Sequence, residues 1–150
     1  MRLYRRLPVL ALAGVSALLL ASCQTLAGSK GSPEEFQRLK AGLTADRAQL
    51  SQAVSDGALD RVPDGVTAIS KRLDDIWSKS SAMNLIDREH MAIELASARK
   101  ELTSVTQWAN SNDADAVRTE IEKLDGILGD VDELLDHTIR ATAVDQPSGS

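Results

Sequence analysis

Apolar residues recur along most of the chain at alternating steps of three and four positions, the spacing of one face of an α-helix. This spacing predicts four amphipathic helices, at about residues 33–55, 61–79, 85–109 and 113–140. The predicted core positions are Phe36, Leu39, Leu43, Leu50 and Val54; Val62, Val66, Ile69, Leu73 and Ile76; Met91, Leu95, Ala98, Leu102, Val105 and Ala109; and Val117, Ile121, Leu124, Leu128, Val131, Leu135 and Thr138. No segment alternates apolar and polar residues, so no β-sheet is expected.

Polar residues that suit helix starts stand at the predicted boundaries. Ser32 and Pro33 suit the cap and first position of the first helix. Asp60 is expected to cap the second helix, and Asn84, with Asp87 three residues later, the third. Because the connections are short, the four helices are expected to form an all-α fold, an antiparallel up-down-up-down four-helix bundle.

This arrangement brings particular residues to each end of the bundle. Phe36 and Trp77 are expected at the same level, both closing one end of the core. Leu59 and Trp108 lie at the turns of the opposite end. Since aromatic residues dominate interface energetics, these two are candidate contacts for another protein. The alternative is that Trp108 only caps the core.

The fourth helix contains two glycines and precedes a polar tail. Gly126 and Gly129 each cost up to about 1 kcal/mol relative to alanine inside a helix. They either permit a close approach of helices or are simply tolerated. The helix is expected to end at Arg140, and residues 143–150 to be disordered.

The first 22 residues have the three zones of an export signal peptide. Arg2, Arg5 and Arg6 form a basic start, and residues 9–21 form an uncharged apolar run. That run is shorter than the ~20 residues that span a bilayer. We therefore expect residues 1–22 to be cleaved; the alternative is an uncleaved membrane anchor.

Leu20-Ala21-Ser22-Cys23 begins at the end of this run and resembles the lipobox of bacterial lipoproteins, an aliphatic residue and two small residues before a cysteine. Small side chains allow an extended backbone to enter a membrane-embedded peptidase. The resemblance implies that Cys23 becomes the first mature residue, with a covalent lipid on its thiol. Residues 23–32 are then a polar tether and residues 33–142 the bundle. For the rest of the chain the lipobox implies no particular family.

The mature chain would be acidic, because losing residues 1–22 leaves 14 Lys and Arg against 22 Asp and Glu, a net charge of −8. This charge argues against nucleic acid as a partner and against binding flat on anionic lipid. The acyl chains would then supply the membrane attachment. Cys23 is the only cysteine, so no internal disulfide is possible. An Asp directly after the lipidated cysteine resembles a signal for retention in the inner membrane, but residue 24 is Gln. In a Gram-negative host, this favours a location in the outer membrane, facing the periplasm.

Candidate chemistry is sparse. His90 with Glu94, and His137, could supply metal ligands, but the helical pattern places both histidines toward solvent or the edge of the core. Met83 or Met91 with His137 could ligate a haem at one end of the bundle. The sequence has neither the paired Glu-x-x-His motifs of a di-iron site nor the sequence motif of a common enzyme class. We therefore expect no enzyme activity, no metal and no cofactor beyond the covalent lipid.

These observations favour a lipid-anchored cell-envelope protein with a structural or adaptor role, whose partner is another envelope protein. The alternative is a periplasmic bundle that binds a ligand or a metal. A bound cofactor or metal in the purified protein would distinguish the two.

Overall fold

The structure, a computed structural model, describes residues 31–144. Within that range it consists of helices and contains no β-strand. The four long helices are α1 (Pro33–Ser55), α2 (Val62–Lys79), α3 (Leu85–Asn110) and α4 (Ala114–Val144). One-turn 3₁₀ helices occupy Leu59–Arg61 and Ser80–Ala82 in the first two connections. The predicted boundaries differ from these by at most one residue, except at the end of α4.

The helices pack as a ring in which each contacts its two sequence neighbours and α4 closes back on α1. The predicted all-α four-helix bundle is therefore confirmed. Every predicted core position is buried except Leu39, Val66 and Ala109, which are half-buried at the edge of the core. Met83, from the second connection, joins the core. Between residues 31 and 144 we find no helix long and apolar enough to cross a bilayer.

The helix caps are confirmed at two of the three predicted positions. The side chains of Ser32 and Asn84 each accept a hydrogen bond from the backbone N–H three residues later, at 3.3 and 2.9 Å. The prediction for Asp60 is wrong, because α2 begins two residues later and has no side-chain cap. Asp60 instead lies in the 3₁₀ turn. The residue three positions after it is Pro63, which has no N–H to donate.

The predicted end of α4 at Arg140 is also wrong. The helix continues to Val144, so residues 143 and 144, predicted to be disordered, are helical. Two features stabilise this extra turn: Thr138 is buried, and the Thr142 hydroxyl donates to the Thr138 carbonyl at 2.8 Å. The remainder of the predicted tail, 145–150, lies outside the described residues.

Phe36 and Trp77 do not close the core together. Phe36 is fully buried as predicted, but Trp77 remains 38% exposed. Ile76 occupies the core-facing position at this level, and one residue further along a helix turns the side chain by about 100°. The Trp77 ring lies on the outside instead. There the Arg88 guanidinium sits 5.6 Å from its centroid, a cation–π contact between α2 and α3.

One arginine connects α1 to α4. Arg47 Nε donates to Asp125 Oδ1 at 3.1 Å, and its Nη1 donates to Asp132 Oδ2 at 3.0 Å. Its Nη2 also donates to the Asp125 carbonyl at 3.3 Å. Burial raises the pKa of Asp132, although Arg47 opposes this shift. Asp132 Oδ1 is buried without a hydrogen-bond partner in the described part of the chain, so Asp132 depends on nearby cations for its compensation, on Arg47 first and on Lys40 second.

Two glycines allow α1 and α2 to approach closely. A Cβ atom on Gly42 would lie 2.5 Å from Arg72 Cζ, so the missing side chain leaves the space in which Arg72 reaches Asp46 at 3.0 Å. A Cβ atom on Gly65 would lie 3.0 Å from Leu50 Cδ1. Neither position stood out in the sequence, because a glycine has no hydrophobicity to place it in the pattern.

Gly126 and Gly129 have the opposite environment, since a Cβ atom on either meets no atom within 4 Å. They therefore make no close approach, and the interpretation that they are merely tolerated stands. Gly126→Ala and Gly129→Ala should each raise the free energy of unfolding by about 0.5–1 kcal/mol. Urea denaturation measures this change. Gly65→Ala is the control and should gain less, because a Cβ atom there requires Leu50 to shift. A Gly126→Ala variant that gains no more than Gly65→Ala would contradict the placement of Gly126.

Candidate functional site

Two interhelical pairs define one end of the bundle. Glu35 at the start of α1 pairs with Lys79 at the end of α2, with Oε1 and Nζ 2.8 Å apart. Asp87 near the start of α3 pairs with His137 in α4, with Oδ2 and Nδ1 2.5 Å apart. We call this end, formed by residues 31–36, 77–90 and 136–144, the proximal end. The opposite end, with the other two connections, is the distal end.

The chain enters the described region at the proximal end. Gly31 packs against the ring of Phe36 so closely that a Cβ atom there would lie 2.6 Å from the ring. The predicted lipidation site, Cys23, and the predicted signal peptide, 1–22, lie outside the described residues. Eight residues lie between Cys23 and Ser32, so the two are at most roughly 30 Å apart even when the chain is fully extended.

Asp87 is a junction between three segments of the proximal end. Its backbone N–H donates to the Asn84 side chain, and the Asn84 amide donates back to Asp87 Oδ2 at 2.6 Å. The same Oδ2 meets His137 Nδ1. Asp87 is buried, whereas His137 is exposed. The buried carboxylate therefore joins the cap of α3 to the last turns of α4.

The three candidate metal-ligating residues line one groove. His90, Glu94 and His137 face an open groove of about 670 Å³ between α3 and α4. The other lining residues are Asp87, Asp130, Glu133, Leu134, Asp136 and Arg140. Five carboxylates and one arginine make the groove acidic. Among residues 31–144, however, no three His, Cys, Asp or Glu side chains are close enough to hold a metal ion together.

The candidate haem ligands differ in their burial. Met91 is fully buried in the apolar core, and Met83 is nearly so. His137 lies outside the core, paired with Asp87. The methionines therefore lie in the core, whereas His137 lies at its surface.

At the distal end, the two candidate contact residues differ in exposure. Trp108 is 36% exposed, whereas Leu59 is half-buried and packs against the edge of the core. Leu59 offers little surface to a partner. The contact at this end stays a prediction that depends on Trp108.

Sequence reasoning missed three exposed apolar residues on α3: Leu85, Ile86 and Ile93 are 70, 65 and 60% exposed. Ile86 and Ile93 are seven residues apart and therefore share a helix face. The sequence did carry a sign of their exposure, because none of the three belongs to the series of core positions that begins with Met91, Leu95 and Ala98. Apolar residues outside the core pattern are candidates for surface contacts.

Comparisons of this chain with protein families, with curated proteins and with solved structures give no match.

Proposed function

We propose that this protein is a lipid-anchored component of a bacterial cell envelope in which a four-helix bundle serves as a structural or adaptor module. The observation that carries the proposal is the sequence Leu20-Ala21-Ser22-Cys23, which stands at the end of a short apolar run that follows a basic segment. The chain enters the bundle at the proximal end, and the short segment before Ser32 would keep that end near a lipid on Cys23. Gln24 favours an outer membrane facing the periplasm if the host is Gram-negative.

The adaptor role has support in how the bundle uses its charged side chains. Asp87 is bound to Asn84 and His137, and Arg47 to two carboxylates of α4. These groups connect helices to one another across the bundle. A bundle connected in this way suits holding a contact surface at a set distance from a membrane. Trp108, at the distal end, is the candidate contact residue for another envelope protein.

Cys23→Ser should abolish lipidation and leave residues 1–22 uncut, because serine has no thiol to form the thioether. Cells that express the protein are grown with labelled fatty acid, and the label on the immunoprecipitated chain is measured. Ser22→Ala, which keeps a small residue before the cysteine, is the matched control and should be labelled like the wild type. Label retained on the Cys23→Ser chain would overturn the proposal.

A further inference from the structure

The proximal end carries apolar side chains in a place where polar ones are usual. Leu85 and Ile86 are the first two residues of α3 and are mostly exposed. The first turn of a helix favours acidic side chains, because unpaired N–H groups give it a partial positive charge. Trp77 is also exposed at this end, and so is Val144 at the end of α4. Single exposed apolar residues are common, but a cluster at one end indicates a partner.

The position of this cluster indicates which partner. Leu85 and Ile86 lie two residues or fewer from Asp87, which is level with His137 of α4. The Glu35–Lys79 pair places the start of α1 at the same end. A lipid on Cys23 would therefore keep this end within about 30 Å of the bilayer in every orientation of the bundle, which it does not require of the distal end. Because the anchor already holds the protein at the membrane, a second contact forms at a high effective concentration and needs little affinity of its own.

The side chains around the cluster suit the surface of a bilayer. Trp77 and Arg88 stack on each other beside the first turn of α3. Tryptophan is enriched at the level of lipid headgroups, and arginine is attracted to their phosphates. Glu34 and Glu89 are exposed near the same end, and their charge opposes deep insertion. The chemistry therefore fits shallow contact with zwitterionic lipid.

We propose that Leu85 and Ile86 enter the headgroup layer of the membrane that holds the lipid anchor, with Trp77 and Arg88 at its surface. The bundle then stands on its proximal end, with the distal end pointing away from the membrane. This proposal rests on the proposed lipid anchoring of Cys23. It goes further by naming a second membrane contact, made by the folded bundle itself.

The test uses the lipidated protein, purified from membranes and reconstituted into phosphatidylethanolamine–phosphatidylcholine vesicles. The lipid occupies the only native cysteine, so Ile86→Cys and Ile93→Cys each introduce one thiol for an environment-sensitive dye. The two positions share a helix face and similar exposure but differ by about 10 Å in height along α3. The dye at position 86 should shift to the blue and be quenched by lipids that carry a nitroxide on the headgroup. The dye at position 93 should show neither effect, and Leu85→Glu in the Ile86→Cys protein should abolish both.

Flotation of the vesicles separates this proposal from the one on which it rests. Wild-type protein that does not float with the vesicles would overturn the lipid anchor. Protein that floats while the dye at position 86 stays in water would overturn the membrane contact and leave the anchor intact. Equal quenching at 86 and 93 would mean that the side of α3 lies on the bilayer, and a blue shift that grows with protein density would indicate a second copy. Either result contradicts contact by the proximal end.

Discussion

Replacing Phe36 by alanine is expected to lower the free energy of unfolding by about 3–4 kcal/mol. Phe36 is the only phenylalanine in the chain, is fully buried, and is covered by Gly31. Its removal would leave a cavity between the start of α1 and the rest of the core, which close packing cannot refill. Urea denaturation followed by circular dichroism measures the loss.

Trp77→Ala is the matched control for this prediction, because Trp77 is an aromatic residue at the same end. It is 38% exposed, and its ring contacts the Arg88 guanidinium. We expect it to cost only about 1 kcal/mol. Equal losses for the two variants would mean that Trp77 also closes the core, as the sequence alone predicted.

Arg47→Met is expected to cost about 2–3 kcal/mol, a large effect for a residue outside the apolar core. Methionine keeps part of the side-chain volume but removes the two ion pairs that Arg47 makes with α4. It also takes away the stronger of the two cations that act on Asp132, Arg47 and Lys40, while Asp132 Oδ1 stays buried; this is the main source of the expected loss. Arg118→Met, which breaks only the exposed pair with Asp115, is the control and should cost less than about 0.5 kcal/mol.

The stability lost in Arg47→Met should be larger near neutral pH than in acid, because Asp132 is ionised at neutral pH. Burial raises the pKa of Asp132, so between its unfolded and folded values the folded protein binds more protons than the unfolded chain. Ionisation of Asp132 therefore reduces stability as pH rises through this range. Without Arg47 that penalty grows, so the variant should lose most stability near neutral pH and less in acid. A cost that stays constant between about pH 4 and about pH 7 would contradict this explanation.

The period of the apolar residues was sufficient to predict most of the fold. Residues such as Leu43, Ile69 and Leu128 lie on one face of their helices, and burial in a common core is the only way to remove these faces from water. The prediction for Trp77 was wrong because its level along the bundle does not fix the direction of its side chain. Ile76 already occupies the core-facing position at this level. The pattern failed at the end of α4 because small residues such as Ala141 and Ala143 carry no periodic signal.

The proximal end was only partly predictable. Antiparallel order places His137 and Asp87 at the same level, but their contact depends on the rotation of α3 and α4 about their axes. A single sequence leaves that rotation open within tens of degrees. The sequence shows Leu85 and Ile86 as apolar residues outside the core spacing of α3. Only the structure places them at the same end of the bundle as the start of α1.

Lipid anchoring at Cys23 is tested most directly by the mass of the N-terminal peptide of the protein purified from membranes. If Cys23 is lipidated, the peptide begins at this residue and carries the added mass of a thioether-linked diacylglyceryl group. A peptide that contains residues before Cys23, or one that begins there with a free thiol, would contradict it.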